Sequence, residues 1–234
     1  MKLLSRISAF LPLALTLVWL HFLPDRIPLH FNLSGDIDRW GSKWESLLIP
    51  GIVLVLGITF HIVQKHAQEN AQREDNYKDV DEKLRVQALS HVKTMQVVMV
   101  TIGLFFTVLQ AVLLYGAGRA VDTGSAESGM NQNQIVAICM GIMLVILGNY
   151  MPKTRKNSTI GLRCGWTMYN EVTWQKSNRF AGLMLILAGL ASVVCAILLP
   201  VSWAMPSLLV LLGISLVVSL VYAAKVYRQE TEEA

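Results

Sequence analysis

The chain has 234 residues, of which 53% are apolar and 15% charged, with a mean hydropathy of +0.48. One water-soluble core of this length cannot hide so much apolar surface, which excludes an ordinary soluble domain. The net charge of +4 and the pI near 9.0 are accounted for by anionic lipid, with no need of direct nucleic-acid binding.

Apolar stretches of roughly 17–25 residues mark bilayer-spanning helices, because backbone groups in lipid must be satisfied within their own segment. Six occur, at about Ile7–Leu23, Ser46–Val63, Thr94–Ala117, Ile135–Met151, Phe180–Leu199 and Pro206–Ala224. The short alternating strands of a membrane β-barrel are absent. The expected fold is therefore all-α, a polytopic membrane protein with six spans.

The first stretch imitates a signal peptide, with Lys2 and Arg6 ahead of the apolar run. No small-x-small cleavage site follows, and the run ends in His21-Phe22-Leu23-Pro24, so it reads as an uncleaved first helix. The loop after it carries Pro24, Pro28, His30, Asn32, Gly35, Asp36, Trp40 and Lys43. Two prolines restrict the backbone, so Ile27–Phe31 reads as an extended piece and Ser34-Gly35-Asp36 as a turn. His30, Asp36 and Asp38 invite a metal-site reading, but turn-forming Asp and a polar loop His explain them more simply.

Gln64–Lys93 reads as a charged helix, with Asp79–Lys83 and Asp81–Arg85 as i,i+4 acid-to-base pairs. It is either a solvated extension of the spans or a docking face for a cytosolic partner. No Asp, Glu, Lys or Arg lies well inside a span, which argues against an ion-coupled pump. Gln110, Asn149, His21 and His61 lie toward helix ends, where interhelical hydrogen bonds or interface snorkelling explain them. Gly103, Gly141, Gly148, Gly182, Gly189 and Gly213 permit close helix approach. Cys139, Cys164 and Cys195 form no disulfide framework, and neither metal nor cofactor is expected.

Between the fourth and fifth stretches lies a polar island, Lys153–Arg179, whose 27 residues include six Lys/Arg and two Trp. A mere connector would use about two to eight residues. Asn157, Ser158, Thr159 and Gly161 suit a turn. Thr167 is a candidate N-cap for a short helix from about Met168 to Asn178, with Glu171 in its first turn. No catalytic constellation is visible, so an enzyme has the least support. Placing both termini in the cytoplasm puts 16 of the 20 Lys/Arg inside, leaving Arg26, Arg39, Lys43 and Arg119 outside.

Asn149-Tyr150-Met151-Pro152-Lys153, Asn157…Ile160-Gly161-Leu162-Arg163…Trp166-Thr167 and Val172…Trp174-Gln175-Lys176-Ser177-Asn178-Arg179 resemble the signature of the SdpI family. The LPDRIP-HFN-G-D-RWGSK outline of residues 23–43 resembles the domain of unknown function that often precedes it. Cys164-Gly165 departs from the Thr-Pro common in relatives, and Asn178 from their frequent His. The resemblance implies a bacterial plasma-membrane protein giving immunity to a secreted peptide toxin. It further implies a signalling role in which a cytosolic transcriptional repressor is held at the membrane. It divides the chain into an N-terminal half, 1–133, with the outer loop, and a C-terminal half, 134–234, with the island. The rival reading is a small transporter or channel built from these halves as inverted repeats, because each places its motif after its first span.

Overall fold

The computed structural model describes residues 2–34, 36–75, 82–123, 131–157 and 160–232, with side chains for all of these except 67–68, 70–75, 82–91 and 122–123. Six helices in it are long and apolar enough to cross a membrane. They are α1 (Lys2–Trp19), α2 (Leu48–Asp75), α3 (Glu82–Thr123), α4 (Gln132–Tyr150), α5 (Glu171–Leu198) and α6 (Val201–Glu232). The protein is a multi-pass, all-α membrane protein. The acid–base pairs Asp79–Lys83 and Asp81–Arg85 lie outside the residues with described side chains, as do Gly35, Ser158 and Thr159.

Most helices overrun their apolar stretches, because polar residues beyond the hydrocarbon region continue the same hydrogen-bonded spiral. α1 is the exception and stops at Trp19, short of Leu23. Leu20, His21 and Phe22 turn the chain, and Leu23 is buried with Ile27, Leu114 and Ala117. Burial against α3 thus takes Leu23 out of the helix and starts a hairpin.

That hairpin pairs β1 (Arg26–Phe31) with β2 (Ile37–Ser42) antiparallel, Ile27 opposite Gly41 and Pro28 opposite Trp40. β1 contains the extended piece expected at Ile27–Phe31, whereas β2, half of it polar, carries little apolar alternation to announce it. A 3₁₀ turn at Lys43–Leu47 leads into α2, and its cap is reciprocal. Ser42 Oγ accepts from the Trp44 amide, and Glu45 accepts from the Ser42 amide at 3.0 Å.

Small residues set the helix spacing. α1 buries Ser5, Ser8, Ala9, Pro12 and Thr16 along one stripe. Pro12 has no N–H for the Ser8 carbonyl, and that carbonyl lies directly against Gly103 of α3. Between α4 and α5 two glycine pairs meet backbone to backbone. A Cβ on Gly141 would fall 2.7 Å from the Gly189 carbonyl oxygen, and one on Gly148 would fall 2.6 Å from that of Gly182. Both pairs recur at seven residues, the repeat that keeps one seam facing one partner. Gly213 does not belong with them, since nothing lies within 4 Å of its notional Cβ. In the first half α1 packs chiefly on α3, whereas in the second α5 lies between α4 and α6.

The loops sort to two ends of the bundle. The hairpin occupies one, tied to the start of α4 by Asn133 Nδ2 donating to the Asn32 carbonyl at 2.8 Å. The segment 151–170 occupies the other, together with the start of α1 and the end of α6.

One local expectation fails. No helix runs from Met168 to Asn178 with Thr167 as its cap. The helix starts at Glu171, is capped by Asn170 and continues unbroken through the span to Leu198. Asn170 wins because its carboxamide accepts the Thr173 amide at 2.7 Å while the Asn170 amide donates to Thr173 Oγ1 at 3.0 Å. Met168 and Tyr169 consequently belong to the loop.

Candidate functional site

The island folds around one indole. Trp174 projects from the first turn of α5 and is wholly buried, its Nε1–H donating to the Thr154 carbonyl at 2.9 Å. One turn on, Asn178 is 1% exposed and clamps the loop above it. Its Oδ1 accepts the Leu162 amide at 2.7 Å, and its Nδ2 donates to the Trp174 carbonyl at 3.1 Å. A buried carboxamide with donor and acceptor both engaged fixes a loop where an apolar side chain would leave backbone groups unpaired.

Gly161 bends the chain across this pair with φ at +123°, a region that disfavours side chains. A Cβ there would fall 2.6 Å from Asn178 Oδ1 and 2.9 Å from the Trp174 ring. Asn157 closes the preceding turn, its Oδ1 accepting the Ile160 amide at 2.7 Å and its Nδ2 donating to the Ile160 carbonyl at 3.0 Å. Thr167 closes the following one, its hydroxyl donating to the Leu162 carbonyl at 2.9 Å and accepting the Cys164 amide at 3.0 Å.

The remaining motif residues face outward. Arg163 and Trp166 are exposed on the loop surface, and Trp166 borders a groove along α6 with Val217, Val221 and Arg228. Asn149, Pro152, Lys176 and Arg179 converge on a second groove of about 580 Å³, beside the stacked pair Phe180–Tyr222. Lys176 also reaches the end of α6, its Nζ 2.9 Å from Glu230. Glu230 lies beyond the apolar stretch of α6, and the hydrogen bond from Lys176 lowers its carboxyl below the usual value, against a smaller opposing effect of burial.

At the opposite end the hairpin roofs a cavity of about 700 Å³ between α2, α3, α4 and α6. Pro28, His30 and Asn32 line it, as do Arg39 and Glu45, which pair at 2.6 Å. His30 Nδ1 meets Asp38 at 2.6 Å, whereas Asp36 bonds Asn32, its amide donating to Asn32 Oδ1 at 2.9 Å. The three residues that invited a metal reading therefore split between two partners, and no metal-ligand cluster occurs among the described residues. Lys43 buttresses the hairpin base through the Leu23 carbonyl at 3.1 Å and Asp25 at 3.2 Å. Pro24 and Trp40 are exposed.

Sequence reading passed over Thr154, Thr173, Gln132 and Asn133, and took Asn178 only as a departure. The i,i+4 spacing of Trp174 and Asn178 placed both on one helix face, a signal that was available.

Two family descriptions match the chain. "Domain of unknown function (DUF1648)" covers residues 7–54, and "SdpI/YfhL protein family" covers residues 153–223. The immunity protein SdpI of Bacillus subtilis is 24% identical over 189 residues, which are 80% of this chain and 77% of that protein. The chain is thus similar to the SdpI/YfhL family in its C-terminal half and to the DUF1648 description in its N-terminal part. An uncharacterized protein of Archaeoglobus fulgidus is 32% identical over 59 residues, 23% of this chain and 32% of its own length. No solved structure matches. The SdpI/YfhL match contains the island core and α5, and the DUF1648 match contains α1 from residue 7 on, the hairpin and the start of α2.

Proposed function

We propose that this protein is a bacterial plasma-membrane immunity protein that protects its cell from a secreted peptide toxin. The similarity to the immunity protein SdpI across 80% of the chain carries this reading. Residues 1–133 present the hairpin outside, and residues 134–234 present the island to the cytoplasm. The basic asymmetry, 16 of 20 Lys/Arg at the island end, supports that orientation.

The direct test expresses this chain in a Bacillus subtilis strain lacking its own SdpI and challenges it with the toxin. Survival is expected; undiminished killing with the protein present in the membrane would sink the reading. For orientation, an impermeant thiol reagent on intact cells should spare Cys164 and modify a cysteine placed at Ser125. The signalling role is the finer part: the exposed Arg163 and Trp166 would hold a cytosolic repressor when toxin occupies the far end. A ligand shifts such an equilibrium only through its differential affinity for the two states. Co-sedimentation of a candidate repressor with membranes, with and without toxin, tests it, and recruitment in neither condition removes this role.

A further inference from the structure

We propose that the cavity beneath the hairpin binds a short, apolar, extended peptide segment, gripped at one backbone amide by Gln110 and Gln132. This deepens the immunity reading and rests on it for biological context, though not for its chemistry.

Gln110 lies on α3 and is 1% exposed. Its Nε2 donates to the Ser46 carbonyl at 2.9 Å. A backbone carbonyl can only accept, so the carboxamide orientation is fixed and Oε1 is the atom left over. That oxygen is buried and has no partner. Gln132, at the start of α4, buries its Nε2 with no partner either. Three buried side-chain N/O atoms among the described residues lack a hydrogen bond, and two of the three belong to residues lining this one cavity. A buried polar atom without a partner is costly, so an occupant that satisfies both is favoured.

The two atoms define what fits. Gln110 Oε1 is a bare acceptor held in place, so the occupant must donate to it, while no hydrogen bond among the described residues orients the Gln132 carboxamide, which can turn to meet the same occupant's acceptor. A peptide amide does both. A lipid ester only accepts, a carboxylate only accepts and an ammonium only donates. Ile27, Leu29, Ile49, Leu113, Val136 and Leu209 make the surrounding walls apolar, which calls for apolar side chains flanking the amide. The volume of about 700 Å³ is within the ~300–1,000 Å³ typical of ligand sites.

β1 adds a second, independent indication. Every residue from Ile27 to Leu33 lines the cavity. The pairing shifts register on both sides of His30, and in this two-stranded sheet β1 keeps one edge that no described strand pairs. β2 occupies the opposite edge. Free strand edges present N–H and C=O groups that pair with an extended chain, which an alcohol or a fatty chain cannot exploit.

The test uses the full chain in lipid nanodiscs and a blocked dipeptide, acetyl-leucyl-leucine methylamide, with binding read by saturation-transfer NMR. The matched probe replaces the central amide N–H with an ester oxygen. We expect saturable binding of the amide and roughly fivefold weaker binding of the ester, the size of one hydrogen bond. Gln110→Leu should weaken the amide by a similar factor and abolish the difference between the two probes, since the lost donor and lost acceptor are one interaction. Gln132→Leu should weaken both probes. The amide-to-ester comparison on the unaltered chain needs no variant to fold. Equal binding of the two probes, or no saturable binding, overturns the proposal. Loss of toxin protection with peptide binding intact would remove the immunity reading alone, and the reverse would remove the cavity alone.

Discussion

The two loop regions of this bundle solve opposite problems. The island, Lys153–Arg179, turns Asn157, Gly161, Thr167 and Trp174 to holding its loop together. The hairpin keeps its polar residues at the surface, with His30, Asp38, Arg39 and Trp40 exposed, and encloses space beneath it. A loop with an indole core is rigid by packing, whereas a two-stranded hairpin on its own is marginal and takes its stability from α3. A family motif can therefore report construction at one end of a molecule and leave the surface chemistry to a few outward residues.

The contrast breaks most readily at the indole. Trp174→Ala should destabilise the protein by about 3–5 kcal/mol, through the lost volume and the orphaned Thr154 carbonyl. Thermal unfolding in detergent should show it, with faster tryptic cutting at Lys156 and Arg163. A near-unchanged melting temperature would mean that the island is not built on Trp174.

Asn178→Leu is next, at about 2–3 kcal/mol, because it leaves the Leu162 amide without its buried acceptor while the Leu162 carbonyl keeps Thr167. Asn178→His sharpens the point: an imidazole retains one donor and one acceptor and should recover part of the loss in the same melt.

Hairpin substitutions should cost far less. Arg39→Ala removes an exposed ion pair and should shift stability by no more than about 1 kcal/mol. A loss like that of Trp174→Ala would show that the hairpin, too, is built around its polar residues.

The smallest structural effect belongs to the outward island residues. Arg163→Ala and Trp166→Ala should alter stability by about 0.5 kcal/mol or less, yet abolish protection in the toxin challenge. Lys153→Ala and Lys156→Ala supply the comparison, because attraction to lipid counts charge rather than position. Equal loss at all four positions would reduce the island to a membrane anchor.

The membrane architecture was legible in the sequence because hydrocarbon imposes length and polarity limits that any spanning segment must obey alone. All six apolar stretches lie in the six spanning helices apart from one or two residues at the ends of some and the Leu20–Leu23 tail of the first. The turn at Asn157–Gly161 was legible for a similar reason, since a carboxamide closing its own turn and a glycine at positive φ are local devices. What the sequence left open depends on partners distant along the chain. Thr167 and Asn170 are both competent caps, and the fold chose Asn170 because the Thr167 hydroxyl was already engaged by Leu162 and Cys164. Gly213 is indistinguishable from Gly148 in one dimension, yet a neighbour's backbone approaches only the latter. Gln110 and Gln132 look like ordinary helix-end polar residues. Packing of α2, α3, α4 and the hairpin alone sealed one atom of each against a shared cavity, because hydrogen-bond satisfaction is a property of what surrounds a group and not of the group itself.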